Sequence, residues 1–553
     1  MRIEKTPYLV LAVLVAFFLT ASISSLVRKS PVSDESAHHL PPGYVCLKHG
    51  DFVFATDSPP LARMLGAGPM LLMDIDMPEN RDFWARDDRA EFSRTFLYSL
   101  NRGKFFSILY AGRLMIVLLA VFGGIYLFRW TARNLGPRTA LIASGIYFLS
   151  PNITAHARFV TTDLAATVFI MCSVLSFWEL FRDPGRKNAL FAALFLSLAL
   201  LSKYSALLLV PVFLSMAVYS SFPPKGRAAQ GGNPAGNMLL FFTMAFVLLW
   251  AGYCFETKPM LEGVLRPEAK EAFFRSVIQK VPVLDARDPS FLLYGIPVPL
   301  RSFLLGVVGV LKHGGEGAST FFMGKWSTAG HPMYYLAAIL IKTPVPTLLL
   351  LLAGLAIMPL DKKTRSLSAY LGGVTLLFVA TASRSNLQLG LRYILPVYPF
   401  IFIICAVAAD RCFSSGKKVK AAAAVALLWL LAVNIRIWPD YLSYFNYFGG
   451  GPENGYNYLR DSNIDWGQDL PALKGYMDSE GIGTINLSYW GEGDPSLYGI
   501  IFKIPSDDEL VSPANEVYAI SVNNLEAFGW TASKVPDARA GYSINIYDLR
   551  ENR

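Results

Sequence analysis

The sequence predicts a polytopic α-helical membrane protein with a small external α/β domain at its C-terminus, and three observations predict it. Hydrophobic side chains make up 53% of the 553 residues and charged ones only 16%, where a soluble chain carries roughly a quarter charged. Mean hydropathy is +0.38. The apolar surplus is gathered into blocks long enough to cross ~30 Å of hydrocarbon. The basic residues fall in the short connections between alternate blocks, so the net charge of +9 reads as a topology signal. No nucleic-acid partner is predicted; membrane lipids are.

In chain order the candidate spans lie near residues 7–27, 107–128, 139–156, 163–181, 188–202, 204–221, 238–255, 334–358, 367–383, 391–409 and 421–437, about eleven in all. Alternate connections hold Arg2 and Lys5; Arg129, Arg133 and Arg138; Arg182, Arg186 and Lys187; Lys225 and Arg227; Lys362, Lys363 and Arg365; and Arg411, Lys417, Lys418 and Lys420. The positive-inside rule makes these cytoplasmic, together with the N-terminus. Residues 1–437 then form a membrane domain with external loops 28–106 and 256–333. The tail 438–553 forms an external domain.

In that tail "DLPALKGYMDSEG" has helical spacing and stops at Gly481, while "TINLSYW", "EVYAISV" and "YSINIYDL" read as strands. The first apolar run is too long for a signal-peptide core, although "ASISS" offers the small residues of a cleavage site. The Gly/Pro/Ala-rich 223–237 segment reads as a cytoplasmic linker. Five scattered cysteines, without a CxxC pair, exclude a disulfide framework and a thiolate zinc site.

Ionisable groups at the ends of apolar spans are costly, which marks them as functional candidates. On the predicted outer face these are Asp34, Glu35, Arg113, Arg158, Asp163, Lys203, His331, Lys342, Arg384 and Arg392. Acidic and basic groups meeting at one membrane boundary suit a substrate with an anionic head and an apolar tail. Each also has a structural reading: Asp163 can cap the helix it opens, Lys342 and Arg392 can snorkel, and Arg113 can pair with an acidic neighbour. Asp34 and Glu35 with His38 and His39 raise a metal reading, because carboxylates and imidazoles bind zinc or manganese. Adjacent histidines on a helix point about 100° apart, which weakens it. No DxD element and no Gly-rich phosphate loop are present.

The stretch "SDESAHHLPPGYVCLKHGDFVFATDSPPLARML" (33–65) carries Asp34-Glu35, Gly43-Tyr44, Gly50-Asp51-Phe52 and Pro59-Pro60-Leu61. It resembles the first external loop of GT-C fold glycosyltransferases, in particular the phospholipid carrier-dependent branch related to protein O-mannosyltransferases and lipid A aminoarabinose transferases. Ser58 stands where that pattern has histidine, so no role of that histidine carries over. "FVTTDLAATVF", "LSKYSALLLVP", "GHPMYYLAAILIKTPVP" (330–346), "LRYILPVYPF" (391–400) and "DSNIDWGQDL" (461–470) continue the resemblance in order.

The resemblance implies inverting transfer of a sugar from a polyprenyl-phosphate donor to a protein, lipid or glycan hydroxyl on the outer face of the cytoplasmic membrane. Asp34 would be the general base, Glu35 would orient the acceptor or the loop, and Asp163 would be a second polar anchor. Lys203, Tyr204, His331, Lys342, Arg392 and Tyr393 would bind the donor phosphate, and Asp465, Trp466 and Gln468 the acceptor. No cofactor is expected to be required, and a divalent metal stays open. The competing readings are a transporter or flippase of lipid-linked sugar, a non-catalytic scaffold, and an oligosaccharyltransferase with a diphosphate-linked donor. The two halves of the chain look unlike each other, which disfavours transport by internal repeats.

Overall fold

The computed structural model describes residues 6–78, 89–221, 233–262, 271 and 293–550. Arg2, Lys5, Lys225, Arg227 and residues 223–232 of the expected linker lie outside the described residues, as does much of the 256–333 segment. Among the described residues, seven helices are long and apolar enough to cross a membrane, or eight if one bent pair counts as a single span. The chain is thus a multi-span membrane protein, and among the described residues fewer of the eleven expected segments are unbroken helices of spanning length.

All eleven expected segments are helical, and the shortfall lies where the backbone breaks. Residues 139–156 divide into Pro137–Leu149 and Pro151–Ala157, with Ser150 extended ahead of Pro151, as a residue before proline prefers. Residues 204–221 begin as a short 3₁₀ turn, Tyr204–Leu208, before Leu209–Ser221. The helix Arg186–Ser202 has 17 residues. The turn between Phe105–Leu135 and Pro137–Leu149 is a single Gly136 at φ +96°, a conformation that favours glycine.

The bent pair, Tyr334–Lys342 with Val345–Ile357, turns through 117°. Pro344 and Pro346 remove donors from the second helix's first turn, and Thr343 is extended. The carbonyls freed by this break need other partners. Asn152 Nδ2 donates to Lys342 O at 2.8 Å, and Asn446 Nδ2 donates to Leu340 O at 2.6 Å and Thr343 O at 2.7 Å.

The chain divides into two compact units. The first holds residues 1–36, 113–159 and 317–553. Its C-terminal part carries a five-stranded sheet in the order Phe502–Lys503, Ile485–Ser488, Val517–Ser521, Ile544–Asp548, Ala538–Ala540. The first three strands are parallel and the other pairings antiparallel. The central strand Val517–Ser521 is buried at every position, as expected when both faces of a sheet are covered. Helix Leu470–Ser479 lays Leu470, Leu473 and Met477 on a core with Ile485, Leu487, Ala519 and Ile546. Gly481 follows it in the left-handed conformation at φ +63°. The second unit, residues 37–112 and 160–316, includes helices Thr162–Arg182, Arg186–Ser202 and Pro234–Gly252, with Phe177 stacked on Phe213 at 4.0 Å.

Candidate active site

In the first unit the chain leaves helix Thr6–Leu26 and enters a largely buried segment, 29–36, fixed by two charged clusters. Arg113 closes on Glu35 through both carboxylate oxygens, Nε–Oε1 at 2.9 Å and Nη2–Oε2 at 2.6 Å. The same guanidinium donates to Leu26 O, Lys29 O and Ser30 O, each at 2.8 Å. It thereby satisfies carbonyls at the helix end and in the loop after it. Both side chains are fully buried. Lys29, equally enclosed, lies between the carboxylates of Asp440 and Asp469.

The segment 465–470 pairs with this loop. Ser30 N donates to Gln468 O at 2.9 Å, Ser33 N to Trp466 O at 3.1 Å, and Ser30 Oγ to Gly467 O at 2.7 Å. Asp465, Trp466 and Gln468 are 0%, 3% and 1% exposed. Gln468 binds Ile464 O and Trp466 N within its own turn, and Trp466 packs with Val32, Phe159 and Tyr441. Burial pushes the Asp465 carboxyl well above the usual range. The expected acceptor-binding trio is therefore turned inward, where its contacts position the loop. Amphipathic side chains in a polar-looking motif suggest a surface, but their burial depends on the distant loop they meet.

What this framework presents is Asp34. Its Oδ2 accepts from Arg392 Nη1 at 2.5 Å, with the two side chains 27% and 10% exposed. Arg392 in turn lies over the Trp466 ring at 4.3 Å and over Tyr393 at 5.5 Å, and its Nε donates to Leu389 O at 3.2 Å. An aromatic face attracts a guanidinium and holds it in place without consuming its donors. Two residues expected to act together, Asp34 and Arg392, are thus brought into contact.

The remaining candidates are placed as follows. Lys342 is buried and donates to Leu442 O at 2.7 Å and Asn463 O at 2.5 Å, above the Phe445 ring. That environment ties three segments together and keeps the ammonium from solvent. His331 is exposed, its backbone held by Gln388 and its ring against Phe322 at 4.4 Å. Arg158 is buried and donates to Pro439 O at 2.5 Å, while Arg384 is exposed. In the second unit Asp163, in the first turn of Thr162–Arg182, pairs with Lys203 at 2.7 Å. Lys203 stands at the extended break after Ser202, and Tyr204 donates to Thr56 O at 3.1 Å. Among the described residues no group of three or more His, Cys, Asp or Glu side chains is arranged to hold a metal ion.

Residues 90–229 match the family model of dolichyl-phosphate-mannose-protein mannosyltransferases. Over that stretch the chain carries the family's sequence pattern. The matched region includes Arg113, Asp163 and Lys203; Asp34, Arg392 and segment 461–470 lie outside it. The match agrees with the resemblance carried by the motifs on either side of it. No curated protein matches the chain in sequence.

Similar solved structures include ArnT from Cupriavidus metallidurans bound to undecaprenyl phosphate, with TM-score 0.47 and 13% identity over 98% of this chain and 99% of that one. The Archaeoglobus fulgidus oligosaccharyltransferase tethered with an acceptor peptide has TM-score 0.45 and 11% identity over 80% of this chain and 57% of that one. Arabinofuranosyltransferase AftD from Mycobacteria has TM-score 0.38 and 12% identity over 98% of this chain and 40% of that one. At these scores and identities they do not assign a reaction to this chain.

Proposed function

We propose that this protein is an inverting glycosyltransferase that moves a sugar from a polyprenyl-phosphate donor to an acceptor hydroxyl on the outer face of the cytoplasmic membrane. The observation that carries the reading is the Asp34–Arg392 pair: a partly exposed carboxylate beside a guanidinium, on a loop locked by Glu35–Arg113. The matched mannosyltransferase pattern over residues 90–229 supports the reaction class, and the alternation of basic connections supports the sidedness.

Asp34 takes the acceptor O–H proton as the acceptor oxygen attacks the anomeric carbon from the face opposite the phosphate. The bond from the anomeric carbon to the phosphate oxygen breaks, and its electron pair leaves with the polyprenyl phosphate. A donor diester with one negative charge becomes a monoester approaching two, so a cation at that oxygen gains strength along the reaction. In this reading Arg392 supplies it. The donor phosphate competes with Asp34 for the guanidinium, and its arrival frees the carboxylate to act as base. Glu35 serves by holding the loop; Lys203, Tyr204, Tyr393 and His331 keep the donor-side role their motifs imply.

The test is Asp34→Asn in purified full-length protein, supplied with polyprenyl-phosphate sugars and a membrane-derived acceptor fraction. Transfer should fall about 10²- to 10⁴-fold, the range for a lost general base, while thermal stability in detergent holds. Transfer near the wild-type rate would remove Asp34 as base. Transfer without any ion gradient would separate this reading from a flippase.

A further inference from the structure

Helix Tyr334–Lys342, expected as the first half of a span over 334–358, meets Val345–Ile357 at 117°. With the second helix upright in the bilayer, the first lies nearer the membrane plane than its normal. The break between them stands at one membrane face. Its freed carbonyls and the Lys342 ammonium are held by Asn446, Leu442 and Asn463, which follow the last spanning helix, Lys417–Arg436. Val345–Ile357 has 13 residues, ~20 Å at 1.5 Å each, which is short of a ~30 Å hydrocarbon core. A core of ordinary thickness, measured from the Lys362–Lys363 connection, therefore reaches past the break to the level of Tyr334–Lys342.

The helix has two unlike faces. Tyr334, Tyr335, Ala338, Ile341 and Lys342 are buried, while Met333, Leu336 and Leu340, three and four residues apart, are about half exposed. Tyr447 and Phe448 stand next to this helix, 88% and 54% exposed. Asn446 N donates to Ile341 O at 2.8 Å, and a Cβ on Gly449 would come within 3.1 Å of the Ile341 Cβ. Tyrosine is enriched at membrane–water boundaries. Beyond the break, Leu349, Leu352 and Leu355 are half exposed or more, as lipid-facing side chains of a span are. The apolar exposure thus continues in sequence from one helix into the other.

We propose that Tyr334–Lys342 does not span but lies in the leaflet on the side of the C-terminal domain, with Leu336, Leu340 and Phe448 at the boundary of head groups and acyl chains. The partner of this surface is the lipid itself. The buried face gives the contact a consequence. Tyr334 Oη accepts from Asn463 Nδ2 at 3.0 Å, and Asn463 Oδ1 accepts from Leu391 N at 3.0 Å. Leu391–Tyr393 also packs on the same helix. The depth of the helix in the leaflet therefore sets the depth of Arg392, and with it the level at which a lipid phosphate is met. Only this consequence rests on the reading of Arg392 given above; the lipid contact stands without it.

The experiment introduces Leu336→Cys, Leu340→Cys or Phe448→Cys, one at a time, with the two cysteines that are not buried, Cys254 and Cys412, changed to serine. The full-length protein is nitroxide-labelled and reconstituted in vesicles of phosphatidylethanolamine and phosphatidylglycerol. Collisions of the label with oxygen, which concentrates in hydrocarbon, are compared with collisions with a water-soluble nickel chelate. Leu352→Cys is the hydrocarbon reference, and Ser512→Cys, on the exposed surface of the tail, the aqueous one. Oxygen should exceed nickel at all three positions, at depths shallower than that of Leu352. Each position is exposed, so a label displaces little packing, and three positions keep the test alive if one variant does not insert. Nickel exceeding oxygen at Leu336 and Leu340 overturns the proposal, because that face is then in water. Few collisions with either overturns it too, because protein, such as a second copy of the chain, then covers the face. A depth at Leu336 equal to that of Leu352 restores the span and overturns it as well. None of these outcomes depends on phosphate binding, so the reading of Arg392 fails or survives separately.

Discussion

Asp34 and Glu35 are adjacent, and each binds an arginine, yet the two pairs are built for different work. Glu35 and Arg113 are fully buried, joined through two hydrogen bonds, and the guanidinium's remaining donors end on three backbone carbonyls. Asp34 and Arg392 meet through Nη1 and Oδ2, and Asp34 keeps about a quarter of its side chain exposed. A saturated buried pair resists change, because removing either member strands a charge. A partly exposed pair beside an aromatic face can exchange partners at small cost, as the proposed phosphate-binding role requires.

The largest effect should come from breaking the buried pair. Arg113→Met leaves Glu35 uncompensated and three carbonyls without donors, at a cost of about 3–5 kcal/mol. A large drop in detergent Tm, with little folded protein at 37 °C, would bear this out; a Tm within a degree or two of wild type would show that the loop does not depend on the pair. Replacing both partners, Glu35→Leu with Arg113→Met, should recover part of that loss, since an apolar pair of similar volume strands no charge.

On the exposed side the order reverses: function should suffer and stability should not. Arg392→Ala removes the cation and its stacking on Trp466, and should weaken undecaprenyl-phosphate binding about 10- to 100-fold, as for a lost charge-assisted contact of roughly 1.5–3 kcal/mol. Arg392→Lys keeps the charge but loses the planar fork and should fall between. Unchanged affinity in Arg392→Ala would move the phosphate contact elsewhere, with Lys203→Ala as the next variant to measure.

The contrast also separates what the sequence reveals from what it hides. Helices and tail strands are legible because apolar periodicity is local. The break inside residues 139–156 is harder to read, because Ser150 changes direction without interrupting hydropathy, whereas the charge of Lys203 marks the break after Ser202. Asp34 stands out by its place after the first helix, and the arginine that meets it is among the candidates. Their contact, across a separation of 358 residues, has no local signature. In the tail motif the amphipathic ring of Trp466 suggests a surface, while its burial against Val32 and Phe159 depends on segments far away in the chain.

A third carboxylate, in the second unit, gives the smallest expected effect. Asp57 binds Arg89 at 2.9 Å, Arg63 at 3.2 Å and His38 at 3.3 Å. Burial pushes its carboxyl up, but Arg63, His38 and Arg89 together outweigh that and hold it well below the usual range. A depressed folded-state value means that its contribution to stability is present above the unfolded carboxyl value near 4 and is lost as pH falls through the folded value. Its side chain is a third exposed, so Asp57→Asn should cost about 1 kcal/mol at pH 7 after solvent screening. The Tm difference between wild type and variant should narrow steadily below pH 4. A difference that stays constant down to pH 3 would mean that the substitution costs shape or hydrogen bonding rather than charge. Asp57 would then belong with the saturated, structural kind of carboxylate that Glu35 exemplifies.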